Sequence, residues 1–290
     1  MKFILALLFT FSLPAFAAEG IETIQVKDNL YMLVNPMGGN VTVSIGEDGT
    51  FLVDDQLTDR SEAILAAAQE VGGQDVKFIL NTHYHFDHTG GNEFFGAKDA
   101  VIMAHDNVRK RLSARQFIEF FNKEMLPTAP AGLPAITFSN EATLHYNGDE
   151  VRFLHTPAAH TDGDTIAHFT KANVIVAGDL IFNDMYPFID IDHGGSIAGV
   201  IAGLDVVFNH ANEETIIIPG HGKLLNKADL LAYKTALSVI SSAVEGHIKV
   251  GKTLEETITA TPTAEFDAAY GGGFISPKDF VTVVYKSLQQ

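Results

Sequence analysis

The chain has 290 residues, a formal net charge of −17 and no cysteine. So acidic a protein is repelled by polyanions, which argues against nucleic acid or an anionic membrane surface as a partner. Without cysteine there are no disulfides, no thiolate metal ligands and no N-terminal lipid attachment, so stability must come from burial and any metal site from nitrogen and oxygen donors.

Met1 to Ala17 has the composition of a secretory signal. Lys2 gives a positive start, Phe3 to Leu13 an apolar core, and Ala15-Phe16-Ala17 a small-x-small cleavage site. The expectation is a signal peptide over 1–17, cleavage before Ala18, and a mature chain in the periplasm or secreted. The apolar core is too short for a permanent bilayer span, so no membrane anchor is expected. Residues 18–290 are expected to form one domain.

From Ile21 to Val53, apolar runs alternate with the turn clusters Asp28-Asn29, Gly38-Gly39-Asn40 and Glu47-Asp48-Gly49, which predicts an antiparallel meander. Thr58 to Val71 carries apolar residues at helical spacing and stops at Gly72-Gly73. Lys77 to Leu80 and Val101 to Ala104 read as strands, with a helix from Asp106. Gln116 to Met125 holds Phe117, Ile118, Phe120 and Phe121, and three prolines follow by Pro134. That segment reads either as a lid over a cleft or as a core helix with a surface connection. Asn147-Gly148 predicts a hairpin between Ala142–Tyr146 and Glu150–Leu154. Strands over Thr165–Thr170, Val174–Ala177 and Thr215–Ile218, a helix capped by Ser196 and helices from Lys227 complete the pattern. Strands then helix, twice over, predicts two mainly antiparallel sheets packed face to face with helices outside, an α+β arrangement.

The segment Thr-His-Tyr-His-Phe-Asp-His-Thr-Gly-Gly-Asn, Thr82 to Asn92, packs four metal-ligand types into six positions directly after a strand: His83, His85, Asp87 and His88. Imidazole with carboxylate suits zinc. Three later strand ends each offer one more ligand type beside glycine: His160, Asp179 and His221.

The first segment resembles the His-x-His-x-Asp-His signature of the metallo-β-lactamase superfamily of hydrolases, and the later pieces match that pattern in order from His83 to His221. The resemblance implies an αββα sandwich, the metallo-β-lactamase fold. It also implies one metal on His83, His85 and His160, a second on Asp87, His88 and His221, and Asp179 bridging them. Two Zn2+ are expected, iron or manganese being the other candidates. A shared hydroxide would attack a carbonyl, with Asp87 as the catalytic residue that orients it. His193, Tyr84 and Tyr186 are candidates for touching a small-molecule substrate, and the loops Phe117–Pro134 and Met185–Ser196 for choosing it. No motif encodes the oligomeric state.

Two departures bear on the branch. Many zinc β-lactamases carry cysteine where this chain has Asp179, and their commonest subclass carries lysine where it has Phe182. The expected activity is therefore hydrolysis of an ester, lactone or lactam, with β-lactam cleavage as a side activity. The alternatives are a glyoxalase-type thioesterase and a mononuclear-iron oxidoreductase like persulfide dioxygenase.

Overall fold

The structure is a computed structural model that describes residues 20–290; the expected signal segment, Met1 to Ala17, lies outside the described residues. The first sheet opens as the meander predicted. β1 (Glu22–Lys27), β2 (Leu30–Val34), β3 (Val41–Ser44) and β4 (Thr50–Val53) pair antiparallel in sequence order. Helix α1 (Ser61–Glu70) then carries the chain over one face, so β5 (Val76–Leu80) returns parallel to β4. The short helices α2 (Phe86–Thr89) and α3 (Asn92–Gly96) precede β6 (Val101–His105), which pairs parallel with β5, and α4 (Asp106–Leu112) follows.

The aromatic segment after α4 is not a helix. β7 (Gln116–Ile118) and β8 (Lys123–Met125) form a separate antiparallel hairpin. Its reversal is made by a 3-10 turn over Glu119–Phe121 and by Asn122 at φ 46°, in the left-handed region that asparagine tolerates. β9 (Ile136–Phe138) then joins the first sheet beside β6.

The second sheet starts with the Asn147-Gly148 hairpin, in which both turn residues have positive φ, 50° and 76°. It joins β10 (Glu141–Tyr146) to β11 (Asp149–His155). β12 (Thr165–Phe169) and β13 (Val174–Phe182) continue antiparallel. α5 (Ile197–His210) crosses over, and β14 (Ile216–His221) lies parallel to β13. α6 (Lys227–Lys249), α7 (Leu254–Thr259), α8 (Asp267–Tyr270) and α9 (Pro277–Ser287) finish the chain. Among the described residues no helix is long and apolar enough to cross a membrane.

Side-chain alternation along the strands creates the layers. Phe51 and Val53 of β4 join Val174 and Val176 of β13 in the core between the sheets. Leu52 faces the other way, towards Ile64 and Ala67 of α1, while Ile175 and Ala177 face the helices behind the second sheet. Four layers, helix–sheet–sheet–helix, follow from that alternation. Each fully buried Phe or Leu contributes about 1.5–3 kcal/mol to their cohesion.

α5 begins at the predicted cap, where the Ser196 hydroxyl accepts from Gly199 N at 2.9 Å. Ser196→Ala is expected to cost about 1 kcal/mol, read as a fall in the urea midpoint at unchanged m-value. An unchanged midpoint would mean that the cap contributes nothing.

Candidate metal centre

The centre is assembled at one end of both sheets. β5 ends at Leu80, and the chain leaves it through Asn81, whose side-chain amide exchanges hydrogen bonds with that of Asn92, each 3.0 Å. Thr82 is anchored on Asp54: its N–H donates to Oδ1 and its hydroxyl to Oδ2, both at 2.7 Å. This anchor aims His83 and His85 the same way, and the turn of α2 then presents Asp87 and His88. The loop after β11 brings His160, β13 brings Asp179, and the last residue of β14 is His221.

Two groups of ligand atoms result, His83, His85, His160 and Asp179 in one and Asp87, His88 and His221 in the other, all within 4.8 Å inside each group. Asp179 reaches both. Its Oδ2 lies 3.7 Å from His83 Nε2, 3.5 Å from His160 Nε2 and 3.5 Å from His221 Nε2, and its Oδ1 lies 3.1 Å from His88 Nε2. His221 Nε2 is also 3.4 Å from Asp87 Oδ2. Glycine makes the convergence sterically feasible. A Cβ on Gly220 would sit 1.9 Å from Asp179 Oδ1, and one on Gly39 2.2 Å from the His88 ring.

The outer hydrogen bonds fix which nitrogen of each imidazole is free. His83 Nδ1 donates to Thr82 Oγ1 at 3.0 Å, His85 Nε2 to Asp190 Oδ2 at 2.9 Å, His88 Nδ1 to Asp54 Oδ2 at 2.8 Å and His160 Nδ1 to the Phe188 carbonyl at 2.8 Å. The remaining nitrogens of His83, His85 and His160 therefore turn their lone pairs inward, while that of His88 meets the Asp179 carboxylate. His160 Nε2 and His85 Nδ1 face one another at 2.9 Å. His83 Nε2 and Asp179 Oδ1 are buried without an aligned hydrogen-bond partner. Buried polar atoms left unpaired are costly, and convergent lone pairs repel. A divalent cation satisfies both conditions, so the residues present fit one.

Electrostatics divides the two groups. Burial, with the neighbouring imidazoles adding to it, holds His83 well below the usual histidine range, and burial brings His160 down to about 4. Both are neutral donors. Burial also acts against charge on His88 and His221, but the carboxylates of Asp179 and Asp87 outweigh it. They hold His88 well above its ordinary value and His221 at about 9. Burial would raise Asp179, yet His88 and His221 keep it well below the carboxylate range. Loading the second group with metal therefore displaces protons.

The three substrate candidates are placed as follows. Tyr84 does not line the cavity at the centre: it is buried, its ring lies 4.5 Å from that of His85, and its hydroxyl donates at 2.6 Å to Asp190 Oδ2, the oxygen that also accepts from His85. Tyr186 is fully buried, its hydroxyl 2.9 Å from Asp267 Oδ1 and its ring stacked on Phe280. Neither tyrosine lines the cavity beside the ligands. His193 donates through Nδ1 to Asp190 Oδ1 at 2.8 Å and is buried; it supports the centre from outside rather than lining it.

Three supporting residues carried no signal that the sequence reading used. Asp54 holds His88 and Thr82, in an Asp-Asp pair that follows an apolar strand. Asp190 collects His85, Tyr84 and His193, and although burial disfavours its charge, their hydrogen bonds hold it far below the carboxylate range. Asn40 ties the β14 end down, its N–H on the Gly220 carbonyl at 2.7 Å and its amide on the Pro219 and Gly222 carbonyls at 3.0 Å. Asp190→Asn keeps the size but loses the charge that polarises His85. It is expected to weaken metal binding about 10- to 100-fold in competition with a chromophoric chelator, and an unchanged affinity would assign Asp190 to the fold alone.

His85, Asp87, Asp179 and His221 open onto a cavity of about 200 Å3. A second cavity of about 210 Å3 lies beyond Phe188 and Asp190, between the β7–β8 hairpin and α9; among the described residues no histidine lines it.

The family profile described as Metallo-beta-lactamase superfamily matches residues 34–221. The chain belongs to the metallo-β-lactamase superfamily. Its fold agrees, resembling the DIM-1 metallo-β-lactamase with a TM-score of 0.59 at 19% identity, over 75% of this chain and 97% of that one. It also resembles the sec-alkylsulfatase Pisa1 of a Pseudomonas species, with a TM-score of 0.69 at 14% identity, over 92% of this chain and 50% of that one. In sequence it is 26% identical to a hydroxyacylglutathione hydrolase of Polaromonas sp. (strain JS666 / ATCC BAA-500), over 64% of this chain. The match spans 63% of that relative's length. In this superfamily member, the position at which Phe182 stands is structural for the centre. Its ring stacks on His221 at 4.9 Å and 8° and fixes the imidazole plane.

Proposed function

We propose that the chain is a metal-dependent hydrolase that cleaves an ester, lactone or lactam carbonyl and holds two divalent ions, zinc foremost. The observation that carries this reading is that both ligand groups meet at Asp179 and face one cavity. His83, His85 and His160 would hold one ion, Asp87, His88 and His221 the other, with Asp179 shared. Bound there, the ions supply Lewis acidity and bring the pKa of water down towards about 7. The chain's own residues position the reaction. Asp87 lines the cavity, where its carboxylate can accept a hydrogen bond from the attacking water and orient it. Asp190 and Phe182 hold the rings of His85 and His221, and the phenylalanine walls exclude bulk water.

The likeness to a hydroxyacylglutathione hydrolase favours thioester cleavage as the second reading. A panel of nitrocefin, a lactone, a thioester, a p-nitrophenyl ester and a phosphodiester on zinc-loaded protein, with metal content measured in parallel, decides between them. Two zinc ions and turnover of the ester or lactone are expected. Preference for the thioester would move the function to the second reading, and a single iron with oxygen consumption would overturn hydrolysis altogether. The N-terminal sequence supports export. Protein recovered from the periplasm of a bacterial host should begin at Ala18 by mass spectrometry, and intact Met1 in the cytoplasm would refute that.

A further inference from the structure

The walls of the cavity beside the metal centre are aromatic and form a connected arc. Phe182 stacks on His221 and lies 5.9 Å from Phe274; Phe274 lies 5.9 Å from Phe121, and Phe121 lies 5.1 Å from Phe188. Phe188 returns the arc to the ligands, 5.8 Å from both His85 and His160. Phe86 packs edge-on against Phe121 at 6.2 Å, and Met37 completes the mouth. Four separate stretches of chain supply these rings: α2, the β7–β8 hairpin, the segment from Phe182 to Phe188, and the turn over Gly271–Gly273 that leads to Phe274. Met37, Phe121 and Phe274 remain 61%, 40% and 47% exposed, apolar surface that solvent does not favour and that an apolar ligand would cover.

Charge in the same cavity is restricted to the metal ligands. Among the described residues neither lysine nor arginine lines it, and Asp87 and Asp179 are the only carboxylates that do. Lys123, on the hairpin, places its ammonium 4.5 Å over the Phe86 ring, engaged with that wall. A substrate bearing a carboxylate away from the reacting carbonyl would find no lysine or arginine among the described lining residues to pair with, in an acidic protein. The cavity of about 200 Å3 has room along its walls for a medium acyl chain or one ring.

Resting on the hydrolase reading above, we infer that the substrate is an uncharged ester or lactone whose acyl part is a medium-length alkyl chain or an aryl group, held by Phe121, Phe188 and Phe274. Specificity then comes from burying that acyl part against the arc, and anionic thioesters and β-lactams are poor substrates because their carboxylates stay unpaired.

The test compares p-nitrophenyl acetate, butyrate and octanoate with the p-nitrophenyl monoester of succinate on zinc-loaded protein. kcat/KM is expected to rise at least about tenfold from acetate to octanoate and to fall about tenfold from butyrate to the succinate monoester. Phe121→Ala and Phe274→Ala should shrink the octanoate-to-acetate ratio towards unity, with circular dichroism confirming that each variant is folded. A second readout needs no turnover: Nile red bound to the wild-type protein should be displaced by octanamide and not by succinamate, and both variants should bind the dye more weakly. A flat or reversed ester series, or displacement by succinamate as effective as by octanamide, would overturn the inference. If no ester is cleaved while octanamide still displaces the dye, the hydrolase reading fails and the apolar pocket stands.

Discussion

Replacing Asp87 by alanine is expected to lower turnover of the best substrate by about a thousandfold, equivalent to about 4 kcal/mol of transition-state stabilisation, while the protein stays folded. The two halves of that expectation rest on different features. Asp87 faces the cavity, and its nearest charged neighbours are the His221 and His88 imidazoles at 3.4 and 3.8 Å, so on the proposed function its removal would take away one metal ligand and the group that orients water. It lies outside the apolar clusters, and its loss opens no hole in them. Asp179 would be the less informative target, because it is buried among four histidines and its removal disturbs assembly as well as chemistry. Turnover within about tenfold of wild type, at full metal occupancy, would remove Asp87 from the reaction. A variant that has lost both metal and native circular dichroism would show that the residue is structural.

Stripping the metal with a chelator is expected to cost about 4 kcal/mol relative to protein held at a thousand times the dissociation constant, and to make stability strongly dependent on pH. The sign follows from each group. His221 is raised from 6.5 to about 9, so its contribution is complete below about pH 6.5 and is lost as pH rises through 9; His88 is shifted the same way. His160 is lowered from 6.5 to about 4, so its contribution is complete above about pH 6.5 and is lost as pH falls through 4; His83 is shifted in that direction as well. Each of the two numbered shifts is worth on the order of 3 kcal/mol. The stripped protein should therefore be most stable near neutral pH and weaken on both sides. With zinc bound, the alkaline loss should vanish, since the metal takes the place of the protons on His88 and His221. Urea titrations at acid, neutral and alkaline pH, with and without chelator, check this. A stripped protein equally stable at neutral and alkaline pH would contradict the charge distribution around Asp179.

The sequence reveals the centre where ligands are dense or lie at strand ends. His83 to His88 announce themselves by crowding, and His160, Asp179 and His221 by following apolar runs beside glycine. Asp54 and Asp190 stay hidden because their roles exist only in space: each meets its histidine across 34 and 105 positions of chain, and neither has a local pattern that distinguishes it from a surface acid. Tyr84 was open to misreading for the opposite reason. It sits inside the ligand cluster, but its ring packs beside that of His85 and its hydroxyl is taken up by Asp190, 106 positions away. Of the fold, the meander, the Asn147-Gly148 hairpin and the capped α5 could be read locally. The β7–β8 hairpin could not, because a run of phenylalanines suits helix and strand alike and the reversal at Asn122 has no glycine to mark it.

The Asn40 contact has a consequence for how the molecule comes apart. It pins the strand that ends in His221 to the start of β3 in the other sheet, and the candidate ligands themselves are drawn from both sheets, so a bound ion would act as a rivet through the sandwich. Neither half can peel away and keep its cation. The rate at which metal escapes into a large excess of chelator therefore clocks the breathing of the two halves, and loosening the Asn40 tether should quicken that escape before it measurably lowers the melting temperature.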